Sequence, residues 1–415
     1  MKSIICFLSL WVYVSGVCAQ PGNYAPIPKI IPAAERMEVY LPLLKGKNVG
    51  VFANHTSLVG RTHLVDTLLS SGIRVTKVFG PEHGFRGTAG AGEKVKSDKD
   101  NVRGLTVISL YGNKKKPSAD DLKGLDVLLF DLQDVGVRFY TYISSLQYFM
   151  EAAFEQGIPL MVLDRPNPNG HYIDGPVLEK SFASFVGLQP VPVVYGMTIG
   201  EYAMMIAGER WLTPQANKKF DYYRNAKSTP DTPFHFLVIK CVNYDRNIEY
   251  TLPVAPSPNL PDQATIRMYP STCFFEGTVM SEGRGTDKPF LYVGHPTLPK
   301  NMFTFTPKPN AGAKSSKCYY QTCYGWNFTP TAQRKKFDRI RIDYLINAYH
   351  AFPGKDTFFL KNNFFNKLAG NSTLMEQIRK GTTEKEIRES WQPGIDRFKA
   401  IRKNYLLYPD FESYR

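Results

Sequence analysis

With 415 residues the chain is long enough to bury a substantial core, and at about 150 residues per domain it suits two domains. Its 51 lysines and arginines outnumber 37 acidic residues, giving a formal net charge of +14. The basic residues are scattered, apart from short runs at 114–116 and 334–336. Without a basic stripe interleaved with aromatics they do not describe a nucleic-acid surface.

The amino terminus reads as an export signal rather than part of the fold. Lys2 precedes an apolar run at 4–14, and Val17-Cys18-Ala19 offers small residues for cleavage before Gln20. The run is too short for a membrane span of about 20 residues, and no later stretch approaches that length. The expected product is exported, periplasmic or secreted. Lipid anchoring through Cys18 is disfavoured by the bulk of Val17. Residues 20–37 are expected to form an extension ahead of the first domain. Cys241, Cys273, Cys318 and Cys323 then remain, too few for a disulfide framework. Cys318 and Cys323 either bridge across a hairpin or stay reduced, and they lack the second pair that zinc would need. A basic surface suits an anionic wall polymer and serves equally as a solvated face.

Residues 38–195 alternate strands with helices. Strands are predicted at 48–53, 75–79, 105–110, 127–131 and 159–164, with helices around 65–69 and over 142–156. Continuous apolar strands such as Val127-Leu128-Leu129-Phe130 mean a mostly parallel sheet covered on both faces. The fold class is therefore α/β, a Rossmann-like doubly wound domain. Ligands of such sheets bind beyond the carboxyl ends of the strands. Here those ends are polar: Asn54-His55-Thr56-Ser57, Glu82-His83-Gly84-Phe85-Arg86, Asp131 through Gln133 to Arg138 and Tyr140, and Asp164-Arg165-Pro166-Asn167. No G-x-G-x-x-G follows the first strand, so no dinucleotide cofactor is expected.

Residues 196–415 change in texture and are assigned to a smaller α+β domain, with the active-site cleft between the two. A helix is predicted at 199–211, and a strand-and-loop layer from about Asp262. Cys273-Phe274-Phe275 reads as a buried strand opening into a glycine-rich loop. The aromatic interval 296–331 has weak helical periodicity. Helices follow at 342–352, 372–380, 384–391 and 395–404.

Two glycine-rich turns carry the chemistry. One is Gly80-Pro81-Glu82-His83-Gly84-Phe85-Arg86-Gly87; the other runs from Glu276 through Glu282-Gly283-Arg284-Gly285 to Thr286. Meeting in one cleft, they supply the acid and base that glycosidic hydrolysis uses. Glu82 is the expected general acid, because Phe79 and Phe85 would exclude water and favour a retained proton. The competing reading is a structural glutamate held by Arg86. Glu282 is the expected second carboxylate, with Glu276 the alternative. His55, His63, His83 and Asp66 lack the H-E-x-x-H type of spacing, so no metal is expected. Ser57 lacks a G-x-S-x-G elbow.

Together these motifs, with Ser390-Trp391-Gln392-Pro393 near the carboxyl end, resemble the NamZ-type exo-β-N-acetylmuramidases, formerly grouped as a domain of unknown function. The resemblance implies a Rossmann-like domain joined to a smaller one. It implies removal of N-acetylmuramic acid from the non-reducing ends of peptidoglycan fragments. An arginine fork suits the lactyl carboxylate of that sugar, and Arg284, Arg138 and Arg165 are the candidates. Asn54, Gln133, Asn167 and Tyr140 are expected to bond hydroxyls or the acetamido group, with His55, His83 and Arg86 beside them. Carboxyl groups about 5–5.5 Å apart would mean a covalent intermediate, and about 6.5–9.5 Å inversion through water. Participation by the 2-acetamido group is the third route. The alternative from another class is a non-catalytic muropeptide- or glycan-binding envelope protein.

Overall fold

A computed structural model describes residues 28–82, 84–85, 98–99, 104–229, 232–334 and 336–411. Residues 1–19, read above as a signal, and the predicted site residues His83 and Arg86 lie outside the described residues. Strand β1 (Asn48–Ala53) leads into a short ribbon of β2 (Leu58–Val59) and β3 (Thr62–His63). Then come β4 (Arg74–Gly80), β5 (Asp98–Lys99), β6 (Thr106–Ser109), β7 (Val127–Asp131), β8 (Leu160–Leu163) and β9 (Phe236–Ile239). Seven of these form one sheet in the order β5-β6-β4-β1-β7-β8-β9, parallel except for the β5–β6 pair. Its last strand therefore comes from beyond residue 195.

Side chains on this sheet alternate between two cores, as the period-two geometry of strands requires. Phe52, Phe79 and Phe130 point to one face and surround Phe149, with ring centroids 5.0, 5.4 and 6.1 Å from it. Val49, Val51, Val78, Leu129 and Met161 fill the other face against Tyr40 and Leu44. Phe149 belongs to the helix Tyr142–Gln156, which ends where Gly157 takes the left-handed conformation at φ 72°.

The second part of the chain is more helical than its sequence suggests. Asp262 begins no strand: its carboxylate caps the helix Gln263–Thr272 by accepting from Thr265 N at 2.8 Å. Cys273-Phe274-Phe275 is not a strand either. The helix tightens there into a 3-10 segment, Cys273–Gly277, whose aromatics are buried by local helical packing. A short apolar run bounded by glycine fits either geometry, and the capped helix before it decides. The interval after residue 291 supplies a small antiparallel sheet of β10 (Tyr292–His295), β11 (Phe303–Phe305) and β12 (Cys323–Asn327), in the order β10-β12-β11. At the carboxyl end one helix, Glu384–Arg402, replaces the two expected, with Pro393 inside it and a Thr383–Glu386 capping box at its start.

Arg138 ties the two parts together. It is fully buried, and its guanidinium donates to Pro176 O, Val191 O, Leu368 O and Ala369 O at 2.7–2.8 Å. Lysine cannot reproduce that fork, so at least one buried carbonyl would lose its donor. Arg138→Lys should cost about 2–4 kcal/mol, read as a lower urea midpoint at unchanged slope.

Candidate active site

The parallel register of β4 and β6 builds the first wall of the site. Gly80 pairs with Ser109, so two residues further on Glu82 and Tyr111 emerge side by side. The Tyr111 hydroxyl donates to Glu82 Oε1 at 2.8 Å. Burial first, then the neighbouring Glu82 carboxylate, pushes the Tyr111 phenol well above its ordinary range, so it stays a donor.

The opposite wall is the Glu276–Thr286 stretch. Ser281 exchanges two backbone hydrogen bonds with Gly294 of β10, at 2.8 and 3.0 Å, which anchors the loop. Gly283 (φ 78°) and Gly285 (φ 82°) are required here. A Cβ on Gly283 would lie 2.7 Å from Tyr292 O, and one on Gly285 2.8 Å from Lys308 O. Between them Arg284 reaches back to Glu276, its Nη2 2.5 Å and its Nε 3.2 Å from Oε1. Glu282, only 3 % exposed, lies 3.5 Å from Arg284 Nε and 2.8 Å from Lys317 Nζ. That ammonium also donates to Phe275 O at 2.6 Å and Thr278 O at 2.9 Å.

These groups form an alternating chain: Lys317, Glu282, Arg284, Glu276. Burial alone would raise the Glu282 carboxyl, but Lys317 and Arg284 outweigh it and hold it below the usual carboxylate range. Arg284, opposed by burial, is held further into its charged form by Glu276 and Glu282. Among the described residues its Nη1 is buried with no hydrogen-bond partner, an unspent donor of a fixed fork.

Glu82, Tyr111, Glu276, Glu282, Arg284 and Lys317 line one cavity of about 520 Å³, together with Phe139, Tyr269, Phe185 and Phe364. A narrower recess sharing Glu82 and Arg284 continues past Tyr140, Tyr142, Asn259 and Phe290. The two glycine-hinged acids thus open onto a common hollow.

Several other predicted site residues do not border it. Asn54 is fully buried; its Oδ1 accepts from Thr56 N and Thr56 Oγ1, and its Nδ2 donates to the Tyr142 hydroxyl at 2.7 Å. It shapes the turn after β1. Gln133 donates to Asp134 O and Pro166 O, and Asn167 to Met197 O. His55 Nε2 bonds Ala255 O at 2.8 Å. Arg165 is closed into a buried pair with Asp131, at 2.5 and 2.7 Å, and Arg138 into the four carbonyls above. Among the three candidate arginines, Arg284 alone lines the cavity. Tyr140 borders the recess, but its hydroxyl is given to Pro256 O. Burial pushes the Asp134 carboxyl, which accepts from Gly136 N and Tyr195, up to about 7.

Sequence reasoning missed Tyr111 and Lys317. Tyr111 had a usable signal, since it stands just beyond the apolar run 105–110. Lys317 had none.

Family models match both parts of the chain: "Exo-beta-N-acetylmuramidase NamZ, N-terminal" over residues 49–264 and "Exo-beta-N-acetylmuramidase NamZ, C-terminal" over 267–408. The chain belongs to the NamZ family. It is 38 % identical to the peptidoglycan beta-N-acetylmuramidase NamZ of Bacillus subtilis (strain 168), over 98 % of this chain and all of that protein. Two crystal structures of DUF1343 family proteins from Bacteroides fragilis NCTC 9343 share the fold. One has a TM-score of 0.80 at 40 % identity, the other 0.75 at 26 %; each match covers 92 % of this chain and all of the other. The NamZ assignment and the paired carboxylates therefore come from independent observations on the same chain.

Lys317→Met should leave Glu282 buried with Arg284 as the cation beside it, costing about 3 kcal/mol by chemical denaturation at pH 7. The sign of the pH effect follows from the depressed carboxyl. Its stabilisation is present above the unfolded value near 4.3 and is lost as pH falls through the lower folded value. The difference between wild type and variant should therefore shrink on acidification below about pH 4.

Proposed function

We propose that this cavity is where the protein acts as an exo-β-N-acetylmuramidase, with Glu82 as general acid and Glu282 as the second carboxylate. The observation that carries the reading is the unequal surroundings of two acids in one hollow. Glu282 faces two cations, which favours a permanent anion opposite the developing positive charge of the sugar ring. Glu82 is instead oriented by the Tyr111 hydroxyl and lines the hollow with Phe139, Tyr142 and Tyr269. The departing glycosidic oxygen takes that proton as the bond to C1 breaks.

Arg284 is the ligand for the lactyl carboxylate. Glu276 fixes its plane through Nε and Nη2, and the guanidinium borders the hollow, where its charge selects an anionic sugar. The substrate class is peptidoglycan fragments ending in N-acetylmuramic acid. The apolar run at 4–14 and Val17-Cys18-Ala19 support export to the compartment that holds that polymer.

A leaving-group comparison tests the roles. Glu82→Gln should lower hydrolysis of a muramyl disaccharide about 10²–10⁴-fold. An aryl N-acetylmuramide needs little protonation to depart, so the loss should be far smaller there. Glu282→Gln should impair both substrates alike. Equal losses on both substrates for Glu82→Gln would reject it as the acid. The anomer released first distinguishes inversion from a retaining route.

A further inference from the structure

The loop that delivers Lys317 to Glu282 is held in an unfavourable shape. Cys318 and Tyr320, neither of them glycine, take left-handed backbone conformations at φ 57° and 58°. Its backbone hydrogen bonds run from Tyr320 N to Pro307 O at 2.9 Å and from Gln321 N to Cys318 O at 3.1 Å, with side-chain bonds from the Tyr319 hydroxyl to Ala313 O at 2.5 Å and from Cys323 Sγ to Gln321 O at 3.8 Å. The turn then enters β12 at Cys323, which is fully buried opposite Phe305, while Cys318 is half-buried at its mouth. The two thiols are free, stand five residues apart across the turn, and interact with each other. Cys241 and Cys273 are each buried in another part of the fold.

We propose that Cys318 and Cys323 close into a disulfide that clamps the turn behind Lys317. The reaction needs an oxidant of the disulfide class, such as oxidised glutathione. The Cys318 thiolate attacks one of its sulfurs and expels one glutathione thiolate. The Cys323 sulfur then attacks Cys318 and expels the second. Both cysteine protons end on the released thiols, and the oxidant takes the electron pair. The order follows from access: Cys318 meets solvent and Cys323 does not. The hydrogen bond from Cys323 and, against the opposing effect of burial, the Lys317 ammonium lower the Cys318 thiol and favour its attacking form. Closure would make covalent a turn that its backbone resists, and so hold the ammonium against Glu282.

Peptide mapping reads the bond directly. Trypsin should release one peptide running from Cys318 to Arg334, containing both cysteines. After incubation of the folded protein with oxidised glutathione, this peptide should be lighter by two hydrogens and resist alkylation. A reductant should then lower the melting temperature by several degrees and slow muramide hydrolysis several-fold. Cys318→Ser/Cys323→Ser should behave like the reduced protein and ignore the reductant. Full alkylation of both cysteines after oxidation would overturn the proposal, as would a melting temperature unmoved by reduction. The rate effect rests on the catalytic reading of Glu282; the peptide map and the melting temperature do not, so the two can fail separately.

Discussion

The buried run of alternating charge from Lys317 through Glu282 and Arg284 to Glu276 is the constraint on which the site depends. A carboxylate taken out of water costs several kcal/mol unless it is paired and hydrogen-bonded. Glu282 is 3 % exposed, so its position is tenable only because an ammonium and a guanidinium reach it. Each cation is fixed in turn, Lys317 by two carbonyls of the Phe275–Thr278 turn and Arg284 by Glu276. The chain of pairs therefore fixes the loop, and the loop fixes the cavity wall.

The facing wall is built by a different principle. Parallel strands β4 and β6 end level with each other, and whatever follows them emerges as a pair. Glu82 and Tyr111 are 29 residues apart in sequence, yet the register makes them hydrogen-bonded neighbours. The site thus joins a sheet edge, positioned by backbone hydrogen bonds, to a loop positioned by charge. Arg138 couples the two regions through carbonyls at Pro176, Val191, Leu368 and Ala369.

The polar residues at the strand ends divide into two groups that look alike in sequence. Asn54, Gln133, Arg138, Arg165 and Asn167 make their hydrogen bonds to buried backbone and to neighbouring scaffold side chains such as Tyr142 and Asp131. Long irregular connections between strands and helices leave carbonyls and amides without ladder partners, and buried ones must be satisfied. Polar strand ends therefore mark either a ligand site or a loop scaffold, and here most are scaffold. Arg284 differs because it borders the cavity between two carboxylates.

The sequence by itself determined the local and the repetitive features. Apolar runs marked β1, β4, β6, β7 and β8, because strands buried on both faces must be apolar throughout. The helix Tyr142–Gln156 and the glycines flanking Arg284 were equally legible, as was the family, through motifs spread along the chain. Cys273-Phe274-Phe275 was misread because a short apolar run has no period long enough to separate helix from strand. Tertiary structure alone decided which acids share a hollow, that Tyr111 meets Glu82, that Lys317 holds Glu282, and which arginine borders the cavity. Those are relations between segments tens to hundreds of residues apart. Strand register and side-chain pairing set them, and neither is written in any one segment.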